Sequence, residues 1–495
     1  MNRRNFIHGA AAGALAAAAQ SAQAQGASKM IGIQVGAVSF VDEGVDAVLD
    51  EFQKDAQINT LFVATFTYGR GIAGRQVPGQ PLPDHGKQQY DNGSGPGTFH
   101  GGSYTKVHPQ YYKDTVIQSF RAPDFGDYDV LEAVVPAARK RGMKTICWFE
   151  DVWRSDVPNI QQAQEKHLDG GNANTVCFNN PNYHNWLLGT VEDYARSYEI
   201  DGIMWGSERQ GAFANMLGAS HGGGNANPRA VTCFCEHCER KARDRGINAQ
   251  RAREGFQALA TFVQNARQGR RPVDGYYVTV WRLMLRYPEL LAWEMLWTDS
   301  LRETYAAIYK KVKDVKPSVG VGWHIWHNNS FNPIYRAEQD LSEISKYSDF
   351  LKMVMYHNCG GERMASYVRS VGRTIYGDVP SQDLLDFHYR VMDYKNEKGM
   401  NELAKTGLSA GYVSQEAKRA KDVLGGTKTQ LWPGIDIDIP TAATSSKSTP
   451  DGTRDAVMAG FRAGADGVIL SRKYSEMRLA NLRGAGDAIR QLRLA

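Results

Sequence analysis

The chain has 495 residues, 42% hydrophobic and 22% charged, enough to bury a sizeable core without disulfide staples. Its formal net charge of +5 is small for that length, and no dense Lys/Arg run or basic amphipathic helix occurs, so nucleic acid is not an expected partner, while an acidic glycan stays open. The 50 glycines fit a loop-rich soluble protein, and no internal repeat or collagen-like period is present.

The N-terminus reads Asn2-Arg3-Arg4-Asn5-Phe6-Ile7, then an Ala/Gly-rich apolar run, then Ala22-Gln23-Ala24, which is the order of a signal peptide. The paired arginines point to the twin-arginine export route. The run is rich in Ala rather than Leu and short for a bilayer, so no retained membrane anchor is expected. Residues 1–24 are read as the leader and 25–495 as the mature protein, periplasmic or secreted.

Beyond the leader, short β-branched or aromatic runs alternate with helical patterns, as βα units around a parallel sheet do. Eight strands are expected: Ile31 to Phe40, Thr60 to Thr67, Lys144 to Phe149, Gly202 to Gly206, Val319 to His324, Phe350 to Tyr356, Gln430 to Ile437 and Gly467 to Ser471. Amphipathic segments such as Val130 to Arg141 and Trp186 to Tyr198 separate them. Eight such units predict an α/β fold, a (β/α)8 TIM barrel. No Gly-x-Gly-x-x-Gly follows the first strand to suggest a doubly wound sheet instead. Three connections are unusually long, at about 68–128, 209–318 and 357–428, and all fall on the C-terminal side of their strands, where barrel enzymes build their sites.

The strand ends carry a convergent polar set. Glu150 and Asp151 follow the third strand, Glu208 and Arg209 the fourth, His324 and His327 the fifth, and His357 the sixth; Asp436 and Asp438 end the seventh, and Arg472, Tyr474 and Glu476 follow the eighth. So many ionisable groups in one ring are costly unless they face water or a ligand. Trp148, Trp153, Trp205, Trp323, Trp326 and Trp432 lie within a few residues of strand ends, and flat aromatic faces pack against sugar C–H surfaces. Glu150, Asp151, Trp205, Arg209, His324, Trp326, His357, Trp432, Tyr474 and Glu476 are accordingly the expected substrate contacts.

Cleaving a glycosidic bond needs one protonated carboxyl and one ionised one across the scissile bond. Strands four and seven face each other across an eight-stranded barrel, so Glu208 is expected as the acid/base, with Asp436 or Asp438 as its partner. Strand alternation sends both aspartates to one face and does not choose between them. Two other readings fit the same barrel: a metal-dependent sugar isomerase, epimerase or lyase using Glu150, His324, His357 and Asp436 as ligands, and a glycan-binding barrel without catalysis.

Three of the six cysteines, Cys233, Cys235 and Cys238, fall within six positions, a spacing that suits a soft metal better than separate disulfides. A fourth thiolate would complete a structural zinc site.

Cys177-Phe-Asn-Asn-Pro-Asn-Tyr, the helix to Tyr198, the strand ending Trp205-Gly-Ser-Glu208 and the following Cys233-x-Cys-x-x-Cys238 resemble the corresponding stretch of family 42 glycoside hydrolases, and more broadly clan-A-like barrel glycosidases. The resemblance implies that Glu208 is the acid/base and that Cys177 joins Cys233, Cys235 and Cys238 around zinc. It covers about Cys177 to Gly246. Two positions depart from the family: Ser207 stands where the family has Asn, and the seventh strand offers Asp436 and Asp438 where the family has Glu. The closing Gly464-Ala-Asp-Gly-Val-Ile-Leu-Ser471 with Tyr474-Ser-Glu476 resembles the broader set rather than family 42 itself.

Overall fold

A computed structural model describes residues 29–67, 83–86, 99–151 and 156–494; the segment 1–24, expected to be a leader, and Trp153 lie outside them. Eight parallel strands close into a barrel: β1 Met30–Gly36, β2 Thr60–Thr67, β3 Lys144–Glu150, β4 Gly202–Gly206, β5 Gly320–Ile325, β6 Phe350–Val354, β7 Gln430–Asp436 and β8 Gly467–Ser471. β1 pairs with β2 (Gly32 opposite Thr60) and with β8 (Met30 opposite Gly467), so the barrel has no free edge. The first strand stops at Gly36 instead of reaching Phe40. Ala37–Glu43 is helical and buries Ala37, Val38 and Phe40, a short apolar run whose pattern does not separate strand from helix.

An Asx side chain just before every even strand holds the odd strand preceding it. Asn59 accepts the backbone N–H of Ile31, Asp201 that of Thr145, Asp349 that of Val321 and Asp466 that of Leu431, at 2.7 to 2.9 Å. The bonded N–H belongs in each case to the second residue of β1, β3, β5 or β7. The four clasps sit at the N-terminal end of the barrel, and each satisfies a strand N–H that would otherwise be left to solvent.

Inside the barrel, Phe62, Ile146, Trp148, Met204, Phe350, Trp432 and Ile469 fill the lower layers. Phe350 and Trp432 stack with centroids 4.0 Å apart. Glycine supplies the room: a Cβ on Gly322 would lie 2.2 Å from the Phe350 ring. Trp432 is therefore part of the barrel plug, below the C-terminal rim, and not a sugar platform. Above this plug the inward side chains turn polar, with Gln34, Glu150, His324, Lys352 and Asp436 in the upper layer, all 5% exposed or less.

The connection after β2 carries a short antiparallel strand, Gly102–Ser103, and that after β4 carries helices at Glu236–Asp244, Ala249–Arg267 and Tyr276–Arg286 before the long barrel helix Glu289–Val315. The connection after β6 carries helices at Gly360–Val371, Ser381–Met392 and Met400–Thr406. The β3 connection holds a hairpin, Gln164–Lys166 with Asn172–Val176, that the sequence does not announce. Among the described residues no helix is long and apolar enough to cross a membrane.

Candidate active site

β4 is buried along its whole length and hands the chain to Ser207 and Glu208. Alternation points Trp205 outward, where it is fully buried against Phe178, Tyr305 and Trp323. The expectation that Trp205 contacts substrate is thereby corrected: it packs barrel against helices. Gly206 faces inward because nothing larger fits; a Cβ there would lie 2.6 Å from the Cβ of His324 on β5. That close approach lets His324 Nε2–H donate to Glu208 Oε1 at 3.0 Å. About a third of the Glu208 side chain (33%) reaches solvent, while His324 is buried beneath it. Burial pushes the Glu208 carboxyl up, but the His324 hydrogen bond and the nearby Arg363 charge outweigh it and hold the group below the usual range, ionised at neutral pH. Burial and the Lys352 charge push His324 down, so a neutral ring with its proton on Nε2 makes this contact.

Glu150, at the end of β3, takes the opposite protonation state. It lies on the strand beside β4, opposite Gly206 in register, and is 5% exposed. Burial, reinforced by the Glu208 charge, pushes its carboxyl up to about 8, with Lys352 pulling the other way. Lys352 is the one charged side chain in the apolar β6; its Nζ donates to Gln34 Oε1 at 2.6 Å and to the Tyr356 hydroxyl at 3.1 Å, 6.0 Å above the Trp148 ring. Burial pushes Lys352 down to about 7. The two adjacent carboxyls thus hold different charge states at one pH, the arrangement that separates a proton donor from an anion in one site.

Asp436 ends β7 fully buried. Its oxygens accept the backbone N–H groups of Asn358 (3.1 Å) and Cys359 (2.8 Å), and His357 Nδ1 lies 2.9 Å away, off the line a good hydrogen bond needs. Burial pushes Asp436 up, but His357 and the two N–H groups outweigh it and keep it ionised. Both oxygens are committed to fixing the β6 loop, and His357 is 8% exposed behind them. Asp438 leaves the site altogether. The strand ends at Asp436, Asp438 turns the chain at φ 52°, and its carboxylate takes Arg478 (3.1 Å) and Asn481 (2.8 Å), so strand alternation no longer applies to it.

Five further expected contacts are corrected, since each is engaged inside the protein. Arg209 Nε donates to the fully buried Asp151 at 2.8 Å, and its Nη1 lies 2.9 Å from Glu165, with the guanidinium 4.3 Å above the Phe178 ring; a carboxylate without solvent needs such a partner. Glu476 is buried against Arg472 (2.6 Å) and Lys473 (3.6 Å). Tyr474 is 1% exposed and stacks on His85 at 4.1 Å. Trp326, 8% exposed, is covered by His221 and Tyr335.

The loop after Glu208 is riveted from two sides. Asn328 Nδ2 donates to Gln210 Oε1 (2.7 Å) and to the Ala219 carbonyl (3.1 Å), and Glu294 accepts the N–H groups of Phe213 and Ala214 at 2.8 and 3.2 Å. Glu294 faces Glu338, whose two oxygens have no donor among the described residues, so the pair is satisfied only while one carboxyl carries a proton. Burial pushes Glu294 up to about 7 and Glu338, next to the Glu294 charge, up to about 9. Groups raised on folding stabilise at low pH, and that contribution is lost as pH climbs through the folded values, here about 7 to 9. Melting temperature is expected to fall by several degrees between pH 7 and 10, and Glu338→Gln, which supplies an amide donor in place of the proton, to flatten the fall. Parallel pH profiles in the two proteins would refute the shared proton.

Cys177, Cys233, Cys235 and Cys238 come together, all buried, with their sulfurs within 4.8 Å of one another. Cys177 Sγ lies 3.5 Å from both Cys235 Sγ and Cys238 Sγ, beyond the roughly 2.05 Å of a disulfide and near the about 3.8 Å edge of a zinc–thiolate tetrahedron. Trp293 Nε1 donates to the Cys233 carbonyl and Asn179 to Cys238 Sγ, which orients the sulfurs from outside. Among the described residues this is the only group of His, Cys, Asp or Glu close enough to share one ion; Glu150, His324, His357 and Asp436 do not form another.

Sequence reasoning overlooked Lys352, His221 and Arg363. Lys352 leaves a legible trace, a lone charge inside Phe350-Leu-Lys-Met-Val354, whereas Arg363 sits in an ordinary amphipathic helix that gives none. A cavity of about 580 Å³ opens at the opposite mouth of the barrel, lined by Lys29, Asp201, Asp349 and Asp466 among others. Those aspartates are the strand clasps, and the carboxyls with divergent proton affinities are at the other end.

No family model and no curated protein matches the chain. Solved structures do share its fold. A β-galactosidase from the haloarchaeon Halorubrum lacusprofundi superposes with a TM-score of 0.50 at 14% identity, covering 93% of this chain and 57% of that one. A family 42 β-galactosidase from G. stearothermophilus gives 0.50 at 10%, covering 94% and 57%, and the β-galactosidase of Marinomonas ef1 gives 0.50 at 9%, covering 94% and 59%. The chain spans less than two thirds of the length of these enzymes. At such identities the likeness establishes a (β/α)8 barrel of the kind they are built on.

Proposed function

We propose that this protein is an exported glycoside hydrolase in which Glu150 carries the proton for the leaving oxygen and Glu208 is the anion that attacks the anomeric carbon or activates water. The observation that carries the proposal is the pair itself: carboxyls on neighbouring strands at the C-terminal rim, Glu150 pushed up to about 8 and Glu208 held below the usual range. This exchanges the role that the family resemblance implies for Glu208 and gives Asp436 a positioning task. Lys352 and Gln34 are hydrogen-bonded to each other in the upper layer of the barrel that also holds Glu150, and His324 orients Glu208. The export leader supports a substrate met outside the cytoplasm.

The test is a pH profile on chromogenic glycosides. An acid with a raised value is protonated below it, so kcat/KM is expected to fall as pH rises through about 8. Glu150→Gln is expected to lower the rate by about 10² to 10⁴ and to remove that limb. A variant with unchanged rate and unchanged alkaline limb would take the proton donor away from Glu150.

Beside this centre, we propose that Cys177, Cys233, Cys235 and Cys238 hold a structural zinc ion. The bound ion would cross-link the β3 hairpin to the insertion after β4. It has no part in bond cleavage.

A further inference from the structure

We infer that the saccharide taken at this rim is anionic, carrying a carboxylate or sulfate that docks on Arg363 beside Glu208; the inference rests on the glycosidase reading and narrows its substrate. Arg363 lies in the first turn of Gly360–Val371, half-buried, with its guanidinium 5.6 Å above the Tyr356 ring. Its Nη1 donates to His327 Nδ1 at 3.1 Å. A guanidinium can only donate, so His327 Nδ1 presents a lone pair and the ring proton sits on Nε2, which donates to the Tyr412 hydroxyl at 3.1 Å; Tyr412 in turn donates to Ser330 Oγ at 2.8 Å. Burial and the Arg363 charge push His327 far down, in keeping with a neutral ring. Arg363 is thus held by an uncharged relay, and among the described residues no carboxylate reaches ion-pair distance of it.

Two more groups sharpen this. Arg472, tethered by Glu476, is close enough to Arg363 for the two charges to repel. His221, from the loop after β4, packs 5.3 Å from Trp326 and 6.3 Å from His327, and its buried Nε2 has no hydrogen-bond partner among the described residues. A half-buried guanidinium with no carboxylate at ion-pair distance, a second one near it and an imidazole nitrogen without a partner among the described residues leave hydrogen-bonding capacity beside Glu208 that an anion can take up. Glu208 favours the Arg363 charge from a distance, but it is hydrogen-bonded to His324 and lies beyond ion-pair distance, which leaves N–H groups of the guanidinium for a ligand anion. Guanidinium planarity suits the two oxygens of a carboxylate or sulfate.

The experiment uses the full chain in the Glu208→Gln background, so that ligands are bound without turnover. Calorimetry compares glucuronate and galacturonate with glucose and galactose, and glucose 6-sulfate separates sulfate from carboxylate recognition. The acidic sugars are expected to bind more tightly, with affinity falling as salt is raised. Adding Arg363→Gln is expected to weaken the acidic sugars roughly 30-fold and the neutral ones little, while Arg363→Lys restores part of the loss. Because Arg363 also supports His327, His221→Asn serves as a second probe and is expected to weaken the acidic sugars selectively. Equal binding of neutral and acidic sugars, or equal weakening of both by Arg363→Gln and by His221→Asn, overturns the inference and leaves the glycosidase reading standing. If no sugar of either kind binds and no glycoside is cleaved by the parent protein, both fall.

Discussion

Glu208→Gln is expected to lower kcat/KM by about 10³-fold or more, because it removes the ionised carboxylate that reaches solvent beside Glu150. The fold is expected to tolerate it. The glutamine side chain has the same shape, its oxygen can still accept the His324 proton, and a third of the surface is already in water, so the melting temperature should move by no more than a few degrees. Rates on a panel of aryl glycosides, with melts of the same preparations, check both halves. Full activity in the variant would end the proposed mechanism, and a collapse of the fold would show that Glu208 is structural.

The second large effect belongs to the cysteines. Cys238→Ser, or prolonged dialysis against a strong chelator, is expected to release about one zinc per chain and to lower the melting temperature by about 10 °C or more, since metal bound only by the folded chain adds its binding energy to stability. The loss should begin in the segment 165–240, where Cys177, Cys233, Cys235 and Cys238 join the β3 hairpin to the insertion after β4. Protection of those amides from hydrogen exchange should fall before that of the barrel strands. A protein without zinc as purified from metal-replete cultures, or one whose melting is indifferent to chelation, would count against the assignment.

The barrel was readable because its signals are local. A buried parallel strand is a short apolar run between turns, and all eight runs were found, with β1 overextended where a helix reuses the same composition. Glu208 stood out for the same reason, a carboxylate directly after six buried residues, 202–207. The remaining site residues depend on which direction a side chain takes and whom it meets. Asp151 and Arg209 look like rim charges in sequence, yet fold into each other; Trp205 and Trp432 occupy equivalent-looking strand positions, yet one faces the helices and the other the barrel axis. Asp436 and Asp438 share a parity that means nothing once the strand has ended. Proton affinities were least legible of all, since that of Glu150 is raised by burial and by the Glu208 charge, and that of Glu208 is lowered by His324 and Arg363, which arrive from other parts of the chain.

The clasps at Asn59, Asp201, Asp349 and Asp466 sort the strands into pairs, β1 with β2, β3 with β4, β5 with β6 and β7 with β8, each fastened by its own side chain. The molecule can therefore be viewed as four quarters, and its largest additions, in 68–143, 207–319 and 355–429, all enter at the seams between quarters and never inside one. Extra chain at a seam leaves every fastening within its own quarter intact. That arrangement let this protein lengthen its upper face three times over without loosening the base on which the eight strands stand.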